Sequence, residues 1–189
     1  MGFITTSKKS DFLLVPPVPL EDGVRDDLFM RGGFHLDKVV ELNANNTTAS
    51  VNIAKINGSV EILRIAGIVT NAATLSNCTD VYLEFWNGSE GVAITKSPGA
   101  TLSGLVLNSY VAKTASAASA LSVINASTGG IVEPATGGRT FFPFAITQKG
   151  GADTFIRMTY TTTDAPINAH IEWHITWRPQ NGGFVSPPV

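Results

Sequence analysis

Along much of this chain apolar and polar residues alternate one for one, the period of a strand with one buried face. The clearest case spans 168–178. There Ala169, Ile171, Trp173, Ile175 and Trp177 make an apolar face, and His170, Glu172, His174, Thr176 and Arg178 a polar one. Segment 153–163 alternates likewise, with Thr154, Ile156, Met158 and Tyr160 against Phe155, Arg157 and Thr159. Segment 81–86 points Val81, Leu83 and Phe85 inward and Glu84 outward, turns at Asn87-Gly88 and returns through 92–96. A first strand is expected at 38–42, then a polar turn at 43–48 and a second strand at 49–55 with Val51 and Ile53 inward. Asn57-Gly58 then predicts a hairpin, because both residues tolerate positive φ. Segment 59–72 is apolar on both faces: Val60, Ile62, Ala66 and Ile68 on one, Leu63, Ile65 and Val69 on the other. Such a strand lies between two layers or at an interface. Its β-branched residues and Gly67 favour strand over helix.

The middle of the chain is less regular. Leu105, Leu107 and Tyr110 open an ill-defined element, and the Ala/Ser-rich stretch 112–122 fits a short helix or a long loop. Short strands are expected at 121–125 and 131–133. Segment 139–148 (RTFFPFAITQ) reads as a strand interrupted by Pro143, hence an edge or a bulge. Gly150-Gly151 and Asp164-Ala165-Pro166 read as turns. Eight to ten strands at hairpin spacing predict an all-β protein, an antiparallel β-sandwich or barrel, jelly-roll-like being one option.

The two ends break this pattern. Residues 1–33 read as an extended N-terminal arm: VPPVPL excludes helix, EDGVRDD is the densest charge cluster, and Arg31-Gly32-Gly33 makes a joint. Apolar Phe12-Leu13-Leu14-Val15 and Leu28-Phe29-Met30 predict that the arm docks on something rather than staying free. The organisation expected is arm 1–33, β-sandwich domain 34–179 and a loose C-terminal tail 180–189.

Composition narrows the function. A chain of 189 residues suffices for one domain with a real core. Charged residues are 15%, below the about 25% of an ordinary soluble domain, and Ser, Thr, Asn and Gly supply the polarity. Such a surface suits turns and protein contacts. Net charge is −2 and the only adjacent basic pair is Lys8-Lys9, so nucleic acid is not an expected partner. The single cysteine, Cys78, excludes an intrachain disulfide and reads as a small buried hydrophobe. No apolar stretch approaches the roughly 20 residues of a membrane span, and MGFITTSKK does not read as a secretory leader. The loose myristoylation match at Gly2 and the several Asn-x-Ser/Thr triplets read as chance in a chain of this composition.

The run HIEWHITW (170–177) is the one stretch resembling chemistry. On a strand rising roughly 3.3 Å per residue, His170 and His174 stand roughly 13 Å apart. They cannot share an ion whose bonds to nitrogen are roughly 2.1 Å. Either would need further ligands from elsewhere, such as His35 or a symmetry mate. The polar face instead reads as cross-strand pairing. No nucleophile elbow, phosphate loop or dinucleotide fingerprint occurs, and Asp80 and Glu84 are a weak carboxylate pair. No catalytic residue, cofactor or metal is expected. Phe141, Phe142, Phe144, Trp86, Trp173 and Trp177 read as core or subunit interface, with a sugar-binding platform as the alternative.

An apolar, proline-containing arm (FLLVPPVPL), a neutral Asn/Thr/Gly-rich β-domain and a short Gly/Pro tail (QNGGFVSPPV) together resemble the capsid decoration or cement proteins of tailed bacteriophages. The resemblance implies a non-enzymatic structural protein of the virion, assembled in the host cytoplasm. It implies a homotrimer on the capsid surface, with the major capsid protein as partner. Phe12, Leu13, Leu14, Val15, Pro16, Pro17 and Val18 would then clamp that partner, with Trp173 and Trp177 as further candidate contacts. A head-fibre, neck or tail component and a carbohydrate-binding β-sandwich module are the alternatives, followed by a glycosidase-like or metal enzyme.

Overall fold

The computed structural model describes residues 33–72, 75–95, 98–113, 120–128, 143–163 and 169–189. The chain divides after Gly33 into two units, Met1–Gly33 and Phe34–Val189. The arm expected at 1–33, with Phe12 to Val18, lies outside the described residues except for Gly33, as do Phe141, Phe142, the strand expected at 131–133, most of the Ala/Ser-rich stretch and the turn at 164–166.

The second unit is antiparallel and all-β, as the alternation predicts. Its strands are β1 (Phe34–Leu42), β2 (Thr48–Asn71), β3 (Cys78–Trp86), β4 (Gly91–Ala93), β5 (Tyr110–Ala112), β6 (Ser122–Ile124), β7 (Phe144–Thr147), β8 (Thr154–Thr162) and β9 (Ala169–Ser186). The order across the sheet is β1-β9-β2-β8-β3-β4, with β5 and β7 also on β2, and β6 on β5. One face carries Val40, Ile62, Ile65, Leu83, Ile156, Met158, Ile171, Trp173 and Ile175 into a single apolar cluster. No α-helix among the described residues covers that face. The sheet therefore folds over on itself and packs strand against strand, which is what makes it a sandwich.

β2 organises the molecule, and four bulges let it do so. At 24 residues it is far longer than an ordinary strand. Its register slips against β8 between Asn52 and Ala54, and against β9 between Asn57 and Ser59, Ile62 and Arg64, and Val69 and Asn71. A bulge bends the strand, and across the third one the inward-facing set changes phase. This corrects the expectation of a two-faced apolar strand. Val60 and Ile62 point inward before the third bulge, Ile65 and Val69 after it. Two apparent faces are one face, rephased.

The Asn57-Gly58 hairpin is also corrected, since β2 runs straight through it. Gly58 has φ +70 within the second bulge. Its N–H donates to Gln148 Oε1 at 3.0 Å, and its carbonyl accepts from the Gln148 N–H at 2.8 Å. On that side β7 pairs with Ser59–Ile62 and β8 with Thr48–Ile56, both antiparallel to β2. β7 and β8 are thus two lengths of one line, and Gly150-Gly151 lies in a loop-out between them rather than a reversal. Pro143 stands just before β7, which pairs with β2 alone among the described strands. That is the edge position proline tolerates.

The loose tail at 180–189 is corrected as well. β9 continues to Ser186, placing Gln180 opposite Ser59 and Phe184, Val185 and Ser186 opposite Asn57, Ile56 and Lys55. Asn181 and Gly182 take positive φ, so the Asn-Gly pair here makes a kink and pairing resumes beyond it. The first strand also starts earlier than expected, at Phe34, because β9 supplies a partner for its whole length.

Candidate functional site

The outer face of β1 and β9 holds the principal cluster of metal-ligating side chains among the described residues. The register sets His35 opposite Thr176, Asp37 opposite His174, Val39 opposite Glu172 and Glu41 opposite His170. Residues two apart on a strand share a face, so His35 and Asp37 both stand beside His174. Asp37 Oδ1 lies 2.7 Å from His35 Nε2 and 2.5 Å from His174 Nδ1. The two imidazoles stack, with centroids 5.6 Å apart and planes 18° from parallel. The other nitrogen of His35, Nδ1, lies 3.4 Å from Thr176 Oγ1. His174 Nε2 is buried with no hydrogen-bond partner among the described residues.

Desolvation works to raise the Asp37 pKa, but the hydrogen bond from His174, the charges of His35 and His174 and the hydrogen bond from His35 outweigh it. The carboxyl is held below its ordinary value. One donor atom from each of the three residues lies within 4.8 Å of the others. Two imidazoles and a carboxylate are a set that binds divalent transition metals.

His170 takes no part. It stands four pairs further along the ladder, opposite Glu41, as the 13 Å argument requires. Asp37 is the residue that sequence reasoning missed. The spacing His35-x-Asp37 places both on one strand face, but the signal is visible only once β1 is known to begin before Lys38.

A second polar cluster lies across β3 and β8. Glu84 accepts from Arg157 Nε at 2.5 Å and from Thr159 Oγ1 at 2.6 Å, and the guanidinium sits 3.7 Å from the centroid of the Trp86 ring. Expected to face outward, Glu84 is only 7% exposed. A carboxylate that buried is tolerable because a guanidinium and a hydroxyl both donate to its Oε1. Asp80, its proposed companion, instead accepts from the Gly99 backbone N–H. The two carboxylates are committed to separate structural partners.

Trp173 and Trp177, the contact candidates on β9, are buried within the chain. Trp173 is 0% and Trp177 7% exposed, both within the core cluster. Their places in the apolar stripe of β9 turn them against the folded-over sheet. Trp177 is stacked at 4.9 Å by Phe34, itself 50% exposed. Phe144 is partly buried against the same core.

The fold and this cluster define an antiparallel all-β protein with a His–Asp–His group across strands β1 and β9. Comparison with known protein families, curated proteins and solved structures finds no match.

Proposed function

We propose that this chain is a non-enzymatic structural protein of a virion, a decoration or cement protein that binds the capsid surface. In this reading the sandwich is the body, residues 1–33 are the attachment arm, the major capsid protein is the partner, and a symmetric trimer is the assembled form. The observation that carries the reading is the division of the chain after Gly33. An apolar, proline-bearing segment of 33 residues adjoins a domain that has its own complete core. A segment of that composition gains order by docking, and a symmetric oligomer multiplies a modest attachment. The carbohydrate-binding reading is weakened, because Trp173 and Trp177 are buried and Trp86 is engaged by Arg157.

Analytical ultracentrifugation of the full chain and co-sedimentation with particles test the proposal. The expected outcome is a trimer that sediments with particles, and a variant lacking residues 1–33 that stays folded and in the supernatant. A strict monomer at micromolar concentration, or full particle binding without the arm, overturns it.

A further inference from the structure

We propose that His35, Asp37 and His174 form a binding site for one divalent transition-metal ion of the zinc type, and that the ion staples edge strand β1 to the sheet. Two ligands come from β1 and the third from β9. Among the described strands β1 pairs with β9 alone, so a bond between them acts where the described sheet is held by one ladder.

The donor set fits the ion. Imidazole nitrogen and carboxylate oxygen are ordinary zinc ligands, and three protein ligands leave a fourth position for water. At least two of the donors are exposed, so an ion has a path in and water has access. In tetrahedral geometry with bonds of about 2.1 Å, donors stand roughly 3.4 Å apart. The two contacts to Asp37 Oδ1, at 2.5 and 2.7 Å, are hydrogen-bond lengths. An ion replaces the protons in them if those pairs open and any wider pair closes, each by no more than about 1.5 Å. Side chains supply that much. His35 and Asp37 are each half exposed, and their backbone is already set by the ladder.

The surroundings also fit. Metal-bound histidines are oriented by a partner on the other ring nitrogen, and Thr176 stands beside His35 Nδ1. On His174 the nitrogen facing Asp37 is Nδ1, and its Nε2 is buried without a hydrogen-bond partner among the described residues, so Thr176 is the orienting partner seen for His35 alone.

The test uses the full chain without a polyhistidine tag, and Zn²⁺ or Co²⁺ alone as ligand. One equivalent is expected to bind, with Co²⁺ giving the visible absorption of a four-coordinate site. Asp37→Asn, His174→Gln and His35→Gln should each weaken binding by at least about tenfold, the scale on which even outer partners of a metal matter. His170→Gln should leave it unchanged. His35 is half exposed, so His35→Gln carries the test if His174→Gln fails to fold. Hydrogen exchange of the β1 amides should slow when metal is added. No uptake, or uptake indifferent to all three substitutions, overturns the site. Uptake without added protection of β1 overturns the staple.

Discussion

At Gly67 a single added atom matters. The residue faces inward on β2 opposite Trp173. A Cβ added there would lie 2.7 Å from Ile171 Cγ2 and 3.2 Å from Trp173 Cε3. Both neighbours are fully buried and have nowhere to go. Gly67→Ala should therefore cost about 1–3 kcal/mol by overpacking, seen as a fall of several degrees in Tm. An unchanged Tm would show that the sheet gives way locally. Cys78 is legible from sequence as a buried hydrophobe, and it is fully buried. Desolvation pushes its thiol up from 9.0 to about 12. A pKa raised by folding contributes stability that is complete below the unfolded value and is lost as pH climbs through the folded one. Stability should hold to about pH 9 and fall toward pH 12, and Tyr160, also raised chiefly by desolvation, adds to the same loss. Denaturant titrations across that range should show a shallower decline for Cys78→Ala. At neutral pH a thiol reagent should label Cys78 only after unfolding.

At the scale of the element, what the sequence disclosed depended on period. β9 was legible because its alternation continues unbroken from Ala169 to Arg178 with one buried face. β2 was only half legible. Its bulges reset the phase, so a reader counting by twos assigns Ile65 and Val69 to the wrong side. Asn57-Gly58 carries the chemistry of a turn, and whether it closes a hairpin or kinks a continuous strand depends on pairing with Gln148, some 90 positions away. The last strand hides a similar case, since the composition of 180–189 suggests a tail while Gln180, Phe184, Val185 and Ser186 pair with β2. A chain ending at Pro179 should lose those pairs together with the buried Val185. It should unfold at lower denaturant concentration with a smaller m-value, because less surface is then exposed on unfolding. If the midpoint is unchanged, the terminal pairing contributes nothing to stability.

At the scale of the whole molecule, the candidate site was invisible for a simple reason. Asp37 and His174 are 137 positions apart and meet only through the β1–β9 register. Local reasoning found that His170 and His174 do not share an ion, and named His35 as an outside ligand. It expected the first strand only from residue 38, one position past Asp37, and had no means of pairing that strand with β9.

The same ladder has a consequence for synthesis. β9 lies between β1 and β2 in the sheet, yet it follows every other strand in the chain. As the polypeptide leaves the ribosome, Val40, Leu42, Ile65 and Val69 are made long before the strand that covers their neighbours. At about 5–20 residues per second, the 127 positions from Leu42 to Ala169 take roughly 6–25 s. Through much of that interval the strand edges that β9 will cover stay unpaired, a state prone to mispairing with other chains. Nascent chains arrested before residue 169 should be protease-sensitive and chaperone-bound, and those extended past residue 186 and clear of the exit tunnel should be neither. Protection that rises steadily with length would show instead that the sheet closes piece by piece.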